Sequence, residues 1–286
     1  MLNLAAARMH CRGRIDYPLK ERAMSPTKVV IQGVLGKMGQ EVLKAVSKEP
    51  DMRPHGAVDT NAGAGTIALP SGSDSIPLSR SIADVLEGAD VVVDFTNAEG
   101  AMQAVRAAAP RKVNLVVGST GFAKADYEAV GALAKQHGVG ILIAPNFTIG
   151  AVVMMHLAKI AAKHFEYADL IEFHSEMKLD SPSGTAVAIA NAAVDGHGGP
   201  FKSPESHKEL VKGARGGVQG GINIHAARMP GTVAHHSLVF GHTGQTLTIR
   251  HDSINRESFM PGVMLGIRQV LKTPGLTIGL DKFLGL

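Results

Sequence analysis

One short segment carries the side chains best suited to catalysis. A predicted strand ends at His174, Lys178 follows in a loop, and Ser183, Gly184 and Thr185 open a predicted helix. The unpaired N–H groups at the start of a helix, its dipole and a nearby hydroxyl can together bind a carboxylate. A titratable imidazole beside an ammonium group and an anion site favours reduction of a negatively charged substrate followed by proton delivery. Taken alone, the segment also allows a capped helix with a solvated histidine and lysine.

A glycine-rich loop follows the first predicted strand, at residues 29–32. Glycines at this point let the backbone approach a pyrophosphate at a helix N-terminus. Asp59 follows 26 residues after the first glycine, at the end of the second predicted strand, where a carboxylate can accept hydrogen bonds from both adenosine ribose hydroxyls. The spacing is GxxGxxG and not the commoner GxGxxG, so a plain glycine-rich turn is the alternative. The loop residues predicted to bind the cofactor are Gly33, Val34, Leu35, Gly36, Lys37, Met38 and Gly39.

The residue after Asp59 indicates which cofactor is preferred. It is Thr60, whereas an arginine there could pair with a 2′-phosphate. The charge of Asp59 would also repel that phosphate, so NADH is favoured over NADPH. Lys37 lies at the phosphate end of the predicted site and leaves NADPH use open.

Two further segments lie where predicted strands end, which is where open α/β sheets bind ligands. Their small residues and hydroxyls suit a flat nicotinamide ring and its ribose. Without the first glycine-rich loop, ordinary strand-ending turns would explain them equally well. The segments contain Gly118, Ser119 and Thr120, and Ala144, Pro145, Asn146 and Phe147.

Residues 172–186 closely resemble the signature E-x-H-H-x-x-K-x-D-x-P-S-G-T-A of the dihydrodipicolinate reductase family, also called 4-hydroxy-tetrahydrodipicolinate reductases. The loop at 33–39 and the two strand-end segments are similar to family motifs and stand in the same order. Residues 247–253 and 256–259 resemble the family's C-terminal strand and closing helix. The resemblance covers about residues 27–286 and rests above all on the PSGTA-type signature.

The resemblance implies a reaction of lysine and diaminopimelate biosynthesis. Reduced nicotinamide gives a hydride to a cyclic dicarboxylate, 4-hydroxy-tetrahydrodipicolinate, and tetrahydrodipicolinate forms with loss of water. It further implies a homotetramer built through the C-terminal sheets. By position, His174 matches the proton donor, Lys178 the second catalytic residue, Gly184 and Thr185 (after Ser183) the carboxylate site, Asp59 the ribose ligand, and residues 118–120 and 144–147 the nicotinamide-side contacts.

The chain departs from the family pattern at Ser175, where the family has a second histidine that contacts substrate. Serine still donates a hydrogen bond, but it is shorter and carries no charge, so substrate affinity or its pH dependence can differ. Two other functions stay open. A different Rossmann-type oxidoreductase would share the glycine loop and Asp59 without needing the segment from Lys178 to Thr185. A non-catalytic nucleotide-binding regulator would be indicated by loss of His174 or Lys178, and both are present.

Charge and composition exclude several protein classes. The net charge is +4, but residues 1–23 hold five basic and two acidic residues, so the remainder is almost neutral and lacks the basic stripe of a nucleic-acid-binding protein. Cys11 is the only cysteine, which excludes a disulfide framework and favours the cytoplasm. No apolar run is long enough to span a membrane. His235, His236 and His242 lack an accompanying carboxylate cluster in the sequence, so no metal site is predicted.

The elements that position these residues follow from the hydrophobic pattern. From residue 28, short continuous apolar runs alternate with helical patterns, which predicts parallel strands covered on both faces. The predicted fold is α/β, with an N-terminal Rossmann-type doubly wound parallel sheet and a C-terminal α+β domain, to which the family resemblance assigns substrate binding and oligomerisation. The predicted divisions are a disordered extension at 1–23, a dinucleotide-binding domain at 24–146, a substrate and oligomerisation domain at 147–255, and a helical segment at 256–286 that packs back on the N-terminal domain.

Overall fold

The computed structural model describes residues 25–63, 65–72, 74–205 and 208–286. The predicted disordered extension and Cys11 lie outside these ranges. The strands are β1 (Thr27–Gln32), β2 (Met52–Val58), β3 (Gly65–Ala68), β4 (Ser75–Ser79), β5 (Val91–Asp94), β6 (Asn114–Val117), β7 (Gly140–Ile143), β8 (Tyr167–His174), β9 (Gly217–Gln219), β10 (Ile222–Arg228), β11 (Ala234–His242), β12 (Gln245–Ser253) and β13 (Gly275–Ile278). The α-helices are α1 (Lys37–Lys48), α2 (Ala98–Ala108), α3 (Lys124–His137), α4 (Ile149–Ala162), α5 (Gly184–His197), α6 (Met260–Val270) and α7 (Asp281–Leu284).

The first sheet has eight strands in the order β13-β7-β6-β5-β1-β2-β4-β3. Every neighbouring pair is parallel except β3 and β4. From β1, the strands β2 to β4 extend the sheet to one side, and the strands from β5 onward extend it to the other. The carboxyl ends of β1 and β5 therefore form the switch point at which such sheets bind ligands.

Helices cover both faces of this sheet, which explains its continuous apolar strands. In β5, the side chains of Val91 and Val93 pack in the core beneath α1 and α6, and Val92 packs in the opposite core beneath α2 and α3. All three residues are buried. A strand enclosed on two faces has no polar face, so it reads as a solid apolar block.

The second sheet has five strands in the order β12-β11-β8-β10-β9, and only β8 and β10 are parallel neighbours. One face packs on α4 and α5 through buried residues such as Leu170, Leu238 and Phe240. The opposite face holds Ile171 and Val239, which are partly exposed. Together the two sheets confirm the predicted fold class, a Rossmann-type parallel sheet followed by an α+β unit.

Residues 256–286 contain more than the predicted helical segment. Helix α6 packs against α1 and β6, and the chain then adds β13 beside β7 in parallel register. The sequences of β13 (GLTI), β3 (GTIA) and β4 (SIPLS) lack the continuous apolar block that marks β5, β6 and β7, so the hydrophobic pattern does not reveal them. Within the described ranges, no helix is both long and apolar enough to cross a bilayer.

Candidate active site

A cavity of about 690 Å³ lies where the N-terminal sheet meets the start of α5. We call it the substrate cavity. Its wall brings together residues from both halves of the chain and from the C-terminal segment, including Asp281 and Leu286. The residues of the sequence-predicted site in this wall are Thr120, Pro145, Asn146, His174, Lys178, Ser183, Gly184 and Thr185.

A buried carboxylate, Glu172, lies directly behind His174. The two residues are separated by one position on β8 and therefore share its buried face. Nδ1 of His174 lies 3.2 Å from Oε2 of Glu172. This contact turns Nδ1 toward the sheet and leaves Nε2 as the ring nitrogen on the side away from the carboxylate.

Three further donors hold Glu172. The backbone N–H of Ser183 donates to Oε1 at 2.9 Å, and the hydroxyl of Ser183 donates to Oε2. Nη2 of Arg228 donates to Oε1 at 3.0 Å and also to the carbonyl oxygen of Asp180 at 2.7 Å. The carboxylate therefore links β8 to the start of α5, to β10 and to the loop at 175–183.

His236 completes this cluster from β11. Its Nε2 lies 3.6 Å from Oε2 of Glu172, and its ring meets that of His174 edge-on with centroids 5.3 Å apart. Burial is the largest single influence on the pKa of Glu172 and acts to raise it, but the nearby imidazoles of His174 and His236 and the hydrogen bonds from Ser183 together outweigh burial and hold that pKa well below its usual value. Glu172 is therefore a carboxylate, a fixed negative charge beside the imidazole of His174.

The same cluster bears on the prediction that the chain has no metal site. Ligand atoms of Glu172, His174 and His236 all lie within 4.8 Å of one another. The carboxylate partner that the sequence does not reveal for His236 is thus supplied by the fold. Arg228 already places a positive charge on Glu172 at 3.0 Å, which is the charge that a metal ion would supply. We therefore interpret the cluster as a hydrogen-bonded ion network.

Lys178 reaches the substrate cavity from the loop after β8. Its Nζ lies 2.7 Å from Oδ1 of Asp180, and about a third of its side chain is exposed. The hydrogen bond from Lys178 lowers the pKa of Asp180. The ammonium group thus has an exposed carboxylate partner that a substrate carboxylate can replace.

The start of α5, the predicted carboxylate site, is a capped helix N-terminus. Ser183 caps the helix, and its hydroxyl accepts a hydrogen bond from the N–H of Ala186 at 3.1 Å. Nδ2 of Asn146 donates to Oγ1 of Thr185 at 3.4 Å. The predicted nicotinamide-side segment after β7 is therefore in direct contact with the predicted carboxylate site.

Ser175 lies outside the wall of the substrate cavity. Its hydroxyl donates to Oε2 of Glu176 at 3.0 Å and accepts from the N–H of Met177 at 3.2 Å. Both partners belong to its own turn. The contact between Ser175 and substrate stays a prediction.

A second cavity of about 730 Å³, the cofactor cavity, opens at the switch point of the first sheet. Of the sequence-predicted residues, Gly33, Gly36 and Asp59 line it, together with Thr60. Gly33 has a φ of +81°, and a Cβ on Gly39 would lie 2.1 Å from the carbonyl oxygen of Gly33. Only glycine fits at either position, and the bare backbone forms a cradle open to a pyrophosphate.

Asp59 is held at the rim of the cofactor cavity. Its two carboxylate oxygens accept the N–H groups of Leu35 and Asn61, each at 3.0 Å. Both oxygens retain lone pairs for further donors. The residues present therefore fit a pyridine dinucleotide, with Asp59 placed for the ribose hydroxyls.

The other sequence-predicted cofactor residues are not in the wall of either cavity. The hydroxyl of buried Ser119 donates to Oδ2 of Asp94 at 2.5 Å, so it is committed to the protein interior. A Cβ on Gly118 would clash with the ring of Phe95, which itself lines the cofactor cavity. Val34, Gly39, Ala144 and Phe147 are buried, Leu35 and Lys37 are exposed, and Met38 is half-buried.

Several residues in or beside the two cavities carry no local sequence signal. Arg228 and His236 meet Glu172 only through the register of β10 and β11. Glu172 itself belongs to the resembling segment, where its place in the signature could have marked it. The other polar wall residues that sequence reasoning did not single out are His156, Lys159, Asp180, Asp195, Asp281 and Lys282 in the substrate cavity and Gln32, Asn61, Arg80, Ser81, Thr96, Asn97, Glu99 and Gln103 in the cofactor cavity.

Comparison with known proteins bears directly on these two cavities. Residues 27–147 match the family model of the dihydrodipicolinate reductase N-terminus, and residues 150–284 match that of the dihydrodipicolinate reductase C-terminus. The chain belongs to the dihydrodipicolinate reductase family. The resemblance read from the sequence is confirmed.

Individual family members align along nearly the whole chain. A 4-hydroxy-tetrahydrodipicolinate reductase of Dehalococcoides mccartyi is 48% identical over 265 residues, which cover 92% of this chain and 100% of the relative. The enzyme of the same name from Bacillus subtilis is 40% identical and covers 90% of this chain and 97% of its own. The structure of dipicolinate-bound dihydrodipicolinate reductase from Paenisporosarcina sp. TG-14 superimposes with a TM-score of 0.80 at 35% identity, covering 90% of this chain and 99% of that one.

Proposed function

We propose that this protein reduces 4-hydroxy-tetrahydrodipicolinate to tetrahydrodipicolinate with a reduced pyridine nucleotide. The observation that carries the proposal is the single cavity in which His174, Lys178 and the capped start of α5 face Thr120 and Asn146. The Paenisporosarcina relative binds dipicolinate, a planar ring with two carboxylates, which supports a small dicarboxylate as the ligand.

The start of α5 and Lys178 bind the substrate in this proposal. One carboxylate accepts from the first N–H groups of α5 and from the hydroxyl of Thr185, where the helix dipole favours negative charge. The ammonium group of Lys178 exchanges Asp180 for the same carboxylate. Because Thr185 also contacts Asn146, the ring is fixed against the nicotinamide-side segment.

His174 supplies the proton that balances the incoming hydride. When bound, the pyridine nucleotide supplies that hydride, and water is lost from the substrate ring. His174 delivers its proton from Nε2, the nitrogen directed away from Glu172. The carboxylate of Glu172 holds the ring in this orientation and stabilises the positive charge that the protonated ring carries before transfer.

The cofactor binds in the cofactor cavity, with its pyrophosphate on the loop at 33–39 and its adenosine ribose on Asp59. Cofactor binding thus falls to the predicted domain 24–146 and substrate binding to 147–255. The pair Asp59 and Thr60 predicts that NADH is the better substrate of the two nucleotides.

The direct test is turnover of each nucleotide. The ring substrate is generated in the cuvette from pyruvate and aspartate semialdehyde by a coupled synthase, and loss of nicotinamide absorbance is followed with NADH and, separately, NADPH. Turnover with either nucleotide supports the proposal. Binding of both nucleotides without oxidation would overturn it and favour a regulator or a different oxidoreductase.

We further propose a homotetramer formed through the second sheet. Ile171, Phe173 and Val239 lie on the face opposite α4 and α5 and are partly exposed. Light scattering after size exclusion should give four times the chain mass. Val239→Asp should lower that mass, and Lys135→Asp on the exposed side of α3 should not. A monomeric wild-type protein would contradict the proposal.

A further inference from the structure

Arg80 lies beside the predicted ribose site although it is 21 residues away from Asp59 in sequence. Strands β2 and β4 are parallel neighbours, with Val58 opposite Ser79. The N–H of Asp59 donates to the carbonyl oxygen of Ser79 at 3.1 Å, and Arg80 follows directly. The end of β4 therefore brings Arg80 into the wall of the cofactor cavity, with Asp59 and Thr60.

The guanidinium of Arg80 is fixed against the turn that holds Asp59. Its Nε donates to the carbonyl oxygen of Ala62 at 2.6 Å. The N–H of Ala62 in turn donates to the carbonyl oxygen of Asp59 at 3.0 Å and closes the turn at 59–62. The Arg80 side chain is thus oriented by the same turn that holds Asp59, whose carboxylate is predicted to bind the ribose.

The two terminal nitrogens of Arg80 are uncommitted. Among the residues that the structure describes, the carbonyl oxygen of Ala62 is the hydrogen-bond partner of the Arg80 side chain. No carboxylate in that part of the chain lies within ion-pair distance of its guanidinium. A planar guanidinium whose two terminal NH2 groups are unused matches the oxygens of a phosphate. Its charge also offsets the repulsion between Asp59 and such a phosphate.

We propose that Arg80 is a specificity-determining residue that binds the 2′-phosphate of NADPH, so that the cofactor cavity accepts both nucleotides. Asp59 binds the ribose hydroxyls of NADH, and Arg80 binds the phosphate that replaces one of them in NADPH. The inference rests on the proposed function, because it requires a dinucleotide in this cavity. It also qualifies the preference for NADH that was inferred from Asp59 and Thr60, because the contact to the 2′-phosphate comes from Arg80, at the end of the neighbouring strand.

The test measures binding of two adenosine fragments to the full chain by calorimetry. The fragments are 2′,5′-ADP, which carries the 2′-phosphate, and 5′-AMP, which does not. Arg80→Gln should weaken 2′,5′-ADP about tenfold, the loss expected for a hydrogen bond to a charged group, and leave 5′-AMP within about twofold. Arg53→Gln, an exposed arginine at the opposite end of β2, should change neither.

A second variant separates phosphate binding from support of the turn. Arg80→Lys keeps the charge but loses the Nε contact to Ala62, and it should retain part of the 2′,5′-ADP affinity. Turnover should follow binding: the ratio of kcat/KM for NADPH to that for NADH should fall about tenfold in Arg80→Gln.

Each other result overturns the inference. Equal weakening of both fragments would show that Arg80 contacts adenine or only shapes the turn, and unchanged binding would show that it contacts nothing. In either case wild-type binding of 5′-AMP would leave the proposed cofactor cavity standing. Failure of the wild-type protein to bind either fragment would remove the proposed cofactor site as well.

Discussion

The two cavities differ in the groups that shape their binding surfaces. At its glycine-rich loop the cofactor cavity is lined by bare backbone, at Gly33 and Gly36, and Asp59 is held at its rim by two N–H groups. The substrate cavity depends on buried side chains, with Glu172 holding His174 from behind. Binding at bare backbone should be lost when a side chain is added to a glycine. The buried network around His174 should instead be disrupted when a charged side chain is neutralised.

The largest effect is expected at the cationic group of the substrate cavity. Lys178→Ala should lower kcat/KM about 1000-fold, because the ammonium group pairs with a substrate carboxylate, and truncating one partner of such a charge pair costs about 4 kcal/mol. Ser175→Ala should change it less than about threefold, because the Ser175 hydroxyl is bonded within its own turn. Steady-state rates of both variants provide the measurement. Equal losses would mean that the family roles have been assigned to the wrong residues.

Removing the buried charge behind His174 should disturb both stability and rate. Glu172→Gln leaves Arg228 without its carboxylate, and breaking a buried ion pair costs about 3 kcal/mol in the free energy of unfolding. The rate should also fall, because the His174 ring loses the partner that orients it. Urea denaturation and kcat give the two readouts. Glu41→Gln, at a surface pair with Lys44, is the control and should change neither.

The same carboxylate gives the fold a defined acid sensitivity. Because the pKa of Glu172 in the folded chain is below its ordinary value of 4.5, its ionised form stabilises the fold above that value. This stability is lost as pH falls below 4.5 toward the lower folded-state pKa. The free energy of unfolding should therefore decrease more steeply on acidification in wild type than in Glu172→Gln. Parallel curves would contradict the ionised state assigned to Glu172.

The smallest of these effects is expected in the backbone cradle. Gly39→Ala forces a methyl group toward the carbonyl oxygen of Gly33 and should cost about 2 kcal/mol of stability. It should also weaken nucleotide binding, because the loop must shift. Gly199→Ala meets no atom within 4 Å and serves as the matched control. If the two variants unfold alike, the close approach at Gly39 is not what selects glycine there.

The same contrast explains what the sequence predicts well. The glycine loop and Asp59 lie within one continuous stretch of strand, helix and strand, so their spacing alone places them at one sheet edge. The position of Arg80 could not be predicted in this way, because the strand before it has only five residues and includes Pro77. The predicted preference for NADH therefore rests on Thr60, which follows Asp59 in sequence, and takes no account of Arg80, which lies near Asp59 in space.

In the substrate cavity, the missing information is strand pairing. A hydrophobic pattern predicts that β10 and β11 exist, but it does not predict that both flank β8. The cluster forms because Glu172 lies opposite His236 in one neighbour and Ala226 in the other, two residues from Arg228. His174, Lys178 and Thr185 are different, because a short contiguous segment holds all three.

The edge strand β13 has a consequence for how the chain folds during synthesis. Strand β7 has four buried residues, and its outer edge pairs only with β13, made more than 130 residues later. Helix α6, which covers one face of the sheet, is also made late. A nascent chain that has completed β7 exposes an unpaired apolar strand edge, a recognised starting point for aggregation. An isolated fragment of residues 25–147 should therefore aggregate, and coexpression with residues 256–286 should reduce that aggregation.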